Sequence, residues 1–319
     1  MKQKIPMRRT PDAELAAAIA AEAVGCSPVT VGRFPTGARH YVFDLQFADR
    51  SPAVVRVGDP SARAEMAGAV YLSGLLRPEG VPLPTILAEG IDAEFPWLLL
   101  ERLPGTDLGS VILNLSGAKL GRIASRVAHA QAITARTISA GRYGYAARAE
   151  QAQHGAWSQV VLANLARSRG RIGSAGLFDV GLVDAVEHEV TARRKELDRI
   201  EAIPFLHDTT TKNVIVTPDG AFSGIVDVDD LCFGDPRYPT ALTLAALMAY
   251  GGPVSYVDAW LRHAGQADDR LFRLYTSVFL LDLMAEHGHI FNGNETPLAP
   301  AVQATMQHAL EFNLNLVRS

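Results

Sequence analysis

Asp208, Asn213 and Asp227 stand within PFLHDTTTKNVIVTPDGAFSGIVDVDDLCFGDP, residues 204 to 236, on or beside two short apolar runs. A carboxylate and an amide carbonyl are hard oxygen ligands suited to Mg²⁺, which takes few protein ligands and leaves its other positions to phosphate and water. Asn213 and Asp227 would supply that pair, and Asp208, five residues before Asn213, would then face an incoming hydroxyl. The chemistry such a set can do is metal-assisted phosphoryl transfer, which asks for positioning and charge neutralisation more than covalent help. The run 214 to 216 reads as a strand and 222 to 228 as its hairpin partner across a Pro-Asp-Gly turn. Closing that hairpin brings Asn213 and Asp227 together.

The elements that must position these residues fall into two parts. Residues 12 to 25 read as an Ala-rich helix closed by Gly25. Strands follow at 29 to 31, 41 to 47 and 53 to 57 as an antiparallel meander, then a helix over 61 to 76, then strands at 86 to 89 and 97 to 102. Pro104 and Gly105 end this β-rich part, and residues 113 to 201 are mostly helical. The periodicity predicts helices over 118 to 137, 157 to 167 and 180 to 199, with the Gly- and Ser-containing stretch 168 to 176 as a break. After the hairpin, helices are expected at 240 to 250, 254 to 264, 268 to 288 and 298 to 316. The lobe boundary is placed near Leu103, giving residues 1–103 as a nucleotide-binding lobe and 104–319 as a catalytic and substrate-binding lobe.

A chain of 319 residues that is 48% hydrophobic can bury a large core. Its net charge of −4 and scattered basic residues argue against a nucleic-acid binder. Cys26 and Cys232 have no metal-ligand spacing and read as free thiols of a reducing, cytoplasmic compartment. No apolar signal core or membrane-spanning run occurs, so no membrane partner is expected.

Order and motifs together resemble the aminoglycoside phosphotransferase and choline kinase family, small-molecule relatives of protein kinases. LHD with Asn213 is similar to that family's catalytic loop, IVD at 225 to 227 to its metal-binding strand, and Gly234-Asp235-Pro236 to its downstream signature. The resemblance implies an α+β, bilobal protein-kinase-like fold, with a small antiparallel β-sheet lobe and a larger, mainly helical lobe. It implies Asp208 as the catalytic base and Asn213 and Asp227 as Mg²⁺ ligands. VVRV at 54 to 57 looks like the strand whose cation contacts nucleotide phosphates, making Arg56 the candidate and Glu65 its helix partner. Gly37 belongs to the nucleotide-covering hairpin, and the backbone of Glu101 and Leu103 to the hinge that would bond adenine. There are departures. Leu206 stands where the family has His and His207 where it has Gly, unless His207 is itself the family His; Thr209 to Thr211 replace Leu-His-Pro, and Pro239 replaces an Asp that braces the loop.

The function implied is transfer of the γ-phosphate of ATP or GTP to a hydroxyl of a small molecule. In such enzymes acidic residues receive cationic acceptors, and the candidates are Asp229, Asp230, Asp282 and Glu286, each also readable as a solvated charge. Lys212 can touch phosphate or simply be solvated. Tyr250, Tyr256 and Trp260 could cage a quaternary ammonium group, although their helical spacing favours core packing. His287 and His289 form a pair without a third metal ligand. The alternative function is a catalytically silent kinase-like protein that binds nucleotide or a partner, motivated by the altered loop and the glycine-poor hairpin.

Overall fold

Ala-rich Ala13–Val24 forms α1, capped by the Asp12 carboxylate accepting from the Leu15 N–H and ended by Gly25 at φ 74°. The structure is a computed structural model that describes residues 10–35, 40–138, 141–288 and 299–319. Gly37 and His289 of the sequence reading lie outside the described residues. The described chain groups into two units, one holding the residues up to Val70 with Pro84–Arg102, the other Tyr71–Leu83 with those from Leu103 onward.

In the first unit, β1 (Thr30–Arg33), β2 (Tyr41–Gln46), β3 (Ala53–Val57), β4 (Ile86–Gly90) and β5 (Trp97–Glu101) form one sheet of order β1-β2-β3-β5-β4. All neighbours are antiparallel. Alternation along the strands sends Phe43, Leu45, Val55, Val57 and Leu99 toward Ala16, Ile19 and Ala20 of α1. Leu98 points the other way, onto Met66 and Ala69 of α2 (Arg63–Leu76). Arg56 is opposite Leu98 in the β3–β5 register, so it shares the α2 face.

The second unit is mainly helical, with two three-stranded sheets. Its elements are β6 (Thr106–Asp107), α3 (Leu108–Val111), α4 (Gly117–Thr134), β7 (Gly144–Ala146), α5 (Trp157–Ala175), α6 (Gly181–Ala192), α7 (Arg194–Leu197), β8 (Ile203–Phe205), β9 (Val214–Val216), β10 (Phe222–Ile225), β11 (Leu231–Gly234), α8 (Tyr238–Tyr250), α9 (Ser255–Ala264), α10 (Arg270–Glu286) and α11 (Pro300–Arg318). The sheets run β10-β9-β6 and β7-β11-β8. Short strands such as β6, β7 and β8 escaped the sequence reading because two or three residues carry no period.

The stretch 168 to 176 is a correction: α5 runs through Gly170 and Gly173 to a left-handed cap at Gly176. Buried Ser168 and Ile172 hold this turn against the core, and that packing outweighs the weak helix propensity of glycine. Conversely, the single helix expected over 180 to 199 divides into α6 and α7 at Arg193.

The core of this unit is aromatic. Trp157, Tyr238 and Tyr275 are fully buried and meet edge to face, with Trp157 and Tyr238 centroids 4.9 Å apart. Their polar atoms are satisfied internally: the Trp157 indole donates to the Tyr275 hydroxyl at 2.9 Å and the Asn164 amide to the Tyr238 hydroxyl at 2.7 Å. Tyr256 and Trp260 are buried in this core too, which removes them as a substrate cage, whereas Tyr250 is 51% exposed. Cys26 is exposed and Cys232 buried, both as free thiols. No described helix is long and apolar enough to cross a membrane.

Candidate active site

Within the second unit the β9–β10 hairpin closes around the Pro-Asp-Gly turn, pairing Val216 with Phe222 and Val214 with Ile225. One step beyond the last pair, the Val226 N–H donates to the Asn213 carbonyl at 2.9 Å, so Asn213 and Asp227 stand on adjacent strand ends. The Asn213 side-chain amide donates to the backbone carbonyl of Asp208 at 3.1 Å. Asp208, Asn213 and Asp227 are therefore brought together by one hairpin and one side-chain tie. Asp227 has φ 65°, the only left-handed backbone among the described non-glycine residues. Such strain, in a side chain that is also exposed, is the kind that folds retain at functional positions.

The unusual Thr run is fully used. Thr210 donates from its hydroxyl to the Asp208 carboxylate at 2.8 Å, fixing one carboxylate oxygen. Thr209 is buried, and the Thr211 carbonyl accepts from the Gly109 N–H at 3.0 Å. Gly105 lets the chain come this close: at φ 109° it sits where a Cβ would lie 1.9 Å from the Val216 carbonyl oxygen, against the strand that β6 pairs.

One residue of this loop's support was missed in the sequence. Gln131 of α4 spans both backbone groups of Leu206: its amide nitrogen donates to the Leu206 carbonyl at 2.8 Å, and its oxygen accepts from the Leu206 N–H at 3.0 Å. The same nitrogen is 3.1 Å from the Thr209 hydroxyl. A signal existed, since Gln131 continues the apolar series Leu120, Ile123 and Val127, and a polar side chain on a buried helix face must find partners. Replacing Gln131 by Leu is expected to strand two buried backbone groups, lowering stability by about 2–4 kcal/mol. Thermal denaturation reads this loss, with Gln131→Glu intermediate because it keeps the hydrogen-bond-accepting oxygen.

Gly-Asp-Pro has a structural explanation. A Cβ at Gly234 would lie 2.2 Å from the Trp157 ring, so only glycine admits the indole. The Asp235 carboxylate, 2% exposed, is gripped by the Arg237 guanidinium at 2.6 Å and the Tyr275 hydroxyl at 3.0 Å. Arg237 also reaches Asp269 at 2.6 Å, tying the start of α8 to the cap of α10. These bonds anchor β11 and the start of α8 although Pro239 carries no carboxylate.

His207 lies with its Nδ1 3.0 Å from an Asp230 oxygen and its ring edge-on to Tyr145. Burial opposes its protonation, but the close contact with the Asp230 carboxylate and the charges of Asp208 and Asp227 prevail, pushing its pKa up to about 9. Because the folded pKa exceeds the ordinary 6.5, the stabilisation is complete below about pH 6.5 and lost as pH rises through about 9. His207→Phe keeps the ring contact and removes the charge. The melting-temperature advantage of wild type over this variant should shrink across that window; an advantage flat with pH would show that no proton is held there.

The remaining predicted residues divide by location. In the first unit Arg56 is buried on β3, and Glu65 lies in the first turn of α2 with a carboxylate oxygen 3.6 Å from His40 Nε2. Glu101 ends β5, its carboxylate accepting from the Thr85 hydroxyl at 2.6 Å. In the second unit Leu103 packs where a Gly224 Cβ would be. Asp229 and Asp230 follow Asp227, and Asp282 and Glu286 share one face of α10. Asp282 accepts from Arg167 at 3.0 Å. Glu286 is open to solvent yet crowded enough that burial, then repulsion from Asp282 and Asp208, raise its carboxyl despite Lys212 and Arg171.

A family model described as the phosphotransferase enzyme family matches residues 30–275. The chain belongs to that family. Its fold is similar to those of solved aminoglycoside phosphotransferases, so the mixed α+β architecture is kinase-like. A thermostable mutant of aminoglycoside phosphotransferase APH(4)-Ia in ternary complex with ADP and hygromycin B aligns at 16% identity over 95% of this chain and 99% of that one, TM-score 0.66. The streptomycin–ATP complex of APH(2'')-IIa aligns at 11% identity over 97% and 99%, also at TM-score 0.66. A GDP complex of a mutant aminoglycoside 2'-phosphotransferase IIIa aligns at 14% identity over 96% of each chain, TM-score 0.64. No curated protein sequence matches the chain.

Proposed function

We propose that this phosphotransferase is a Mg²⁺-dependent kinase that moves the γ-phosphate of ATP or GTP to an alcohol group of a small molecule. The observation that carries the reading is the tie of Asp208, Asn213 and Asp227 by a single hairpin, with Asp227 held in a strained backbone. An exposed carboxylate and an amide oxygen at adjacent strand ends are a donor set that fits Mg²⁺. Asn213 and Asp227 hold the cation, which when bound neutralises phosphate charge. Asp208, one oxygen fixed by Thr210, orients the acceptor hydroxyl and takes its proton. Arg56 steadies the phosphates that are not transferred, with Glu65 as its partner on α2. Gly37 and the backbone of Glu101 and Leu103 hold the nucleotide. Relatives in fold were solved with ADP, ATP or GDP, and that range supports keeping both nucleotides in view.

The experiment is a thermal-shift titration with Mg·ATP and Mg·GTP, followed by nucleotide turnover. Magnesium-dependent binding with slow hydrolysis is expected; absence of magnesium-dependent binding to either nucleotide would sink the reading. Binding without turnover over a broad hydroxyl panel would favour the silent, nucleotide-binding alternative.

A further inference from the structure

Two short antiparallel pairings of the second unit are made by the same two stretches of chain. β8 and β11 set Ile203 opposite Gly234, Pro204 opposite Phe233 and Phe205 opposite Cys232, and β9 and β10 set Val214 opposite Ile225. Between these pairings the chain opens into two facing segments, 206–213 and 226–230. Asp208 and Asn213 stand on the first, Asp227 on the second. One end of the opening is closed by the Val226 N–H, which donates to the Asn213 carbonyl at 2.9 Å. At the other end, the register of β8 and β11 carried past Phe205 and Cys232 sets His207 opposite Asp230. The side chains meet there: His207 Nδ1 lies 3.0 Å from an Asp230 carboxylate oxygen. Tyr145 of β7 backs the His207 ring edge to face, with centroids 5.2 Å apart, and the Asn164 amide holds the Tyr145 hydroxyl at 3.1 Å. The imidazole is thus fixed between a carboxylate and an aromatic ring that is itself anchored to α5.

We infer that His207 and Asp230 are positioning residues for phosphoryl transfer: their contact closes the second end of the opening and so fixes the separation of Asp208 from Asp227. Asp208 is the next residue after His207, and Asp227 stands three residues before Asp230 on the same short segment. A base and a metal ligand on separate segments act together while their spacing is held, and an error of about 1 Å in such a spacing can cost on the order of a hundredfold in rate. Neither His207 nor Asp230 touches nucleotide or acceptor in this role, and Asp230, engaged by the imidazole, is taken out of substrate binding. The inference rests on the kinase reading above.

The test is steady-state Mg·ATP hydrolysis with water as the acceptor, read beside thermal denaturation and the Mg·ATP thermal shift, for wild type, His207→Phe, Asp230→Ala, the double variant and His207→Asn. His207→Phe and Asp230→Ala should each lower kcat by about tenfold to a hundredfold, with KM for Mg·ATP within about threefold of wild type and the Mg·ATP thermal shift kept. The double variant should be no slower than the slower single one, because both changes remove one contact. His207→Asn places an amide nitrogen where Nδ1 stood and should recover part of the loss. A melting temperature that falls while kcat stays at the wild-type value, losses that add in the double variant, or a loss confined to KM for Mg·ATP overturns the inference, while wild-type turnover keeps the kinase reading standing. Absence of any Mg·ATP shift in wild type overturns both.

Discussion

Asp208→Ala is expected to remove acceptor phosphorylation almost entirely, by about 10²–10⁴-fold in kcat, the usual worth of a positioned general base. Nucleotide binding should survive, because no phosphate or cation contact is assigned to Asp208. Stability should change little. The Asp208 carboxylate is half-buried and bonded to Thr210, a neighbour two residues away, while the wider loop is held by Gln131 and by the Thr211–Gly109 backbone bond. Single-turnover assays with saturating Mg·ATP, beside thermal denaturation, separate these outcomes. A variant that still turns over acceptor within a few-fold of wild type would remove Asp208 from the base role and with it the proposed mechanism.

Asp227 is expected to show activity and stability moving in opposite directions. Its left-handed φ of 65° costs an ordinary residue roughly 1–2 kcal/mol, less for Asp, and nothing for glycine. Asp227→Gly should therefore raise the melting temperature, with a gain of about 1 kcal/mol at most, while turnover falls on the order of a thousandfold through loss of a metal ligand. Asp227→Asn tolerates the same backbone and isolates the charge. Asp227→Ala should lose both stability and activity. Equal melting temperatures for the Gly and Ala variants would show that the backbone there is unstrained, and full Mg²⁺-dependent activity in Asp227→Asn would argue against a carboxylate ligand.

The two variants differ in what could be foreseen. Placing Asp208, Asn213 and Asp227 around a hairpin needed only a Pro-Asp-Gly turn between two apolar runs, because turn chemistry and β-branched residues act locally. The strain at Asp227 could not be foreseen, since a backbone angle at a strand end follows from how β10 and β11 are anchored on either side. The Thr run looked like a departure from the family loop. In the structure Thr209, Thr210 and Thr211 each have a partner, two of them supplied by residues far away along the chain, Gln131 on α4, 78 positions from Thr209, and Gly109 beside β6, about a hundred positions from Thr211.

Sequence alone determined the family, the α+β order of elements and the strands and helices with a clear period, because periodicity, caps and turns are short-range properties of the chain. It also marked the three residues proposed for chemistry, through their spacing. Tertiary structure decided what depends on contacts between distant segments. Burial carried α5 through two glycines, Gln131 became the support of Leu206, Gly234 made room for Trp157, and Arg167 paired with Asp282 while Glu286 stayed exposed. Each of those outcomes turns on which partner a side chain meets, and a partner tens of residues away leaves no local pattern to read.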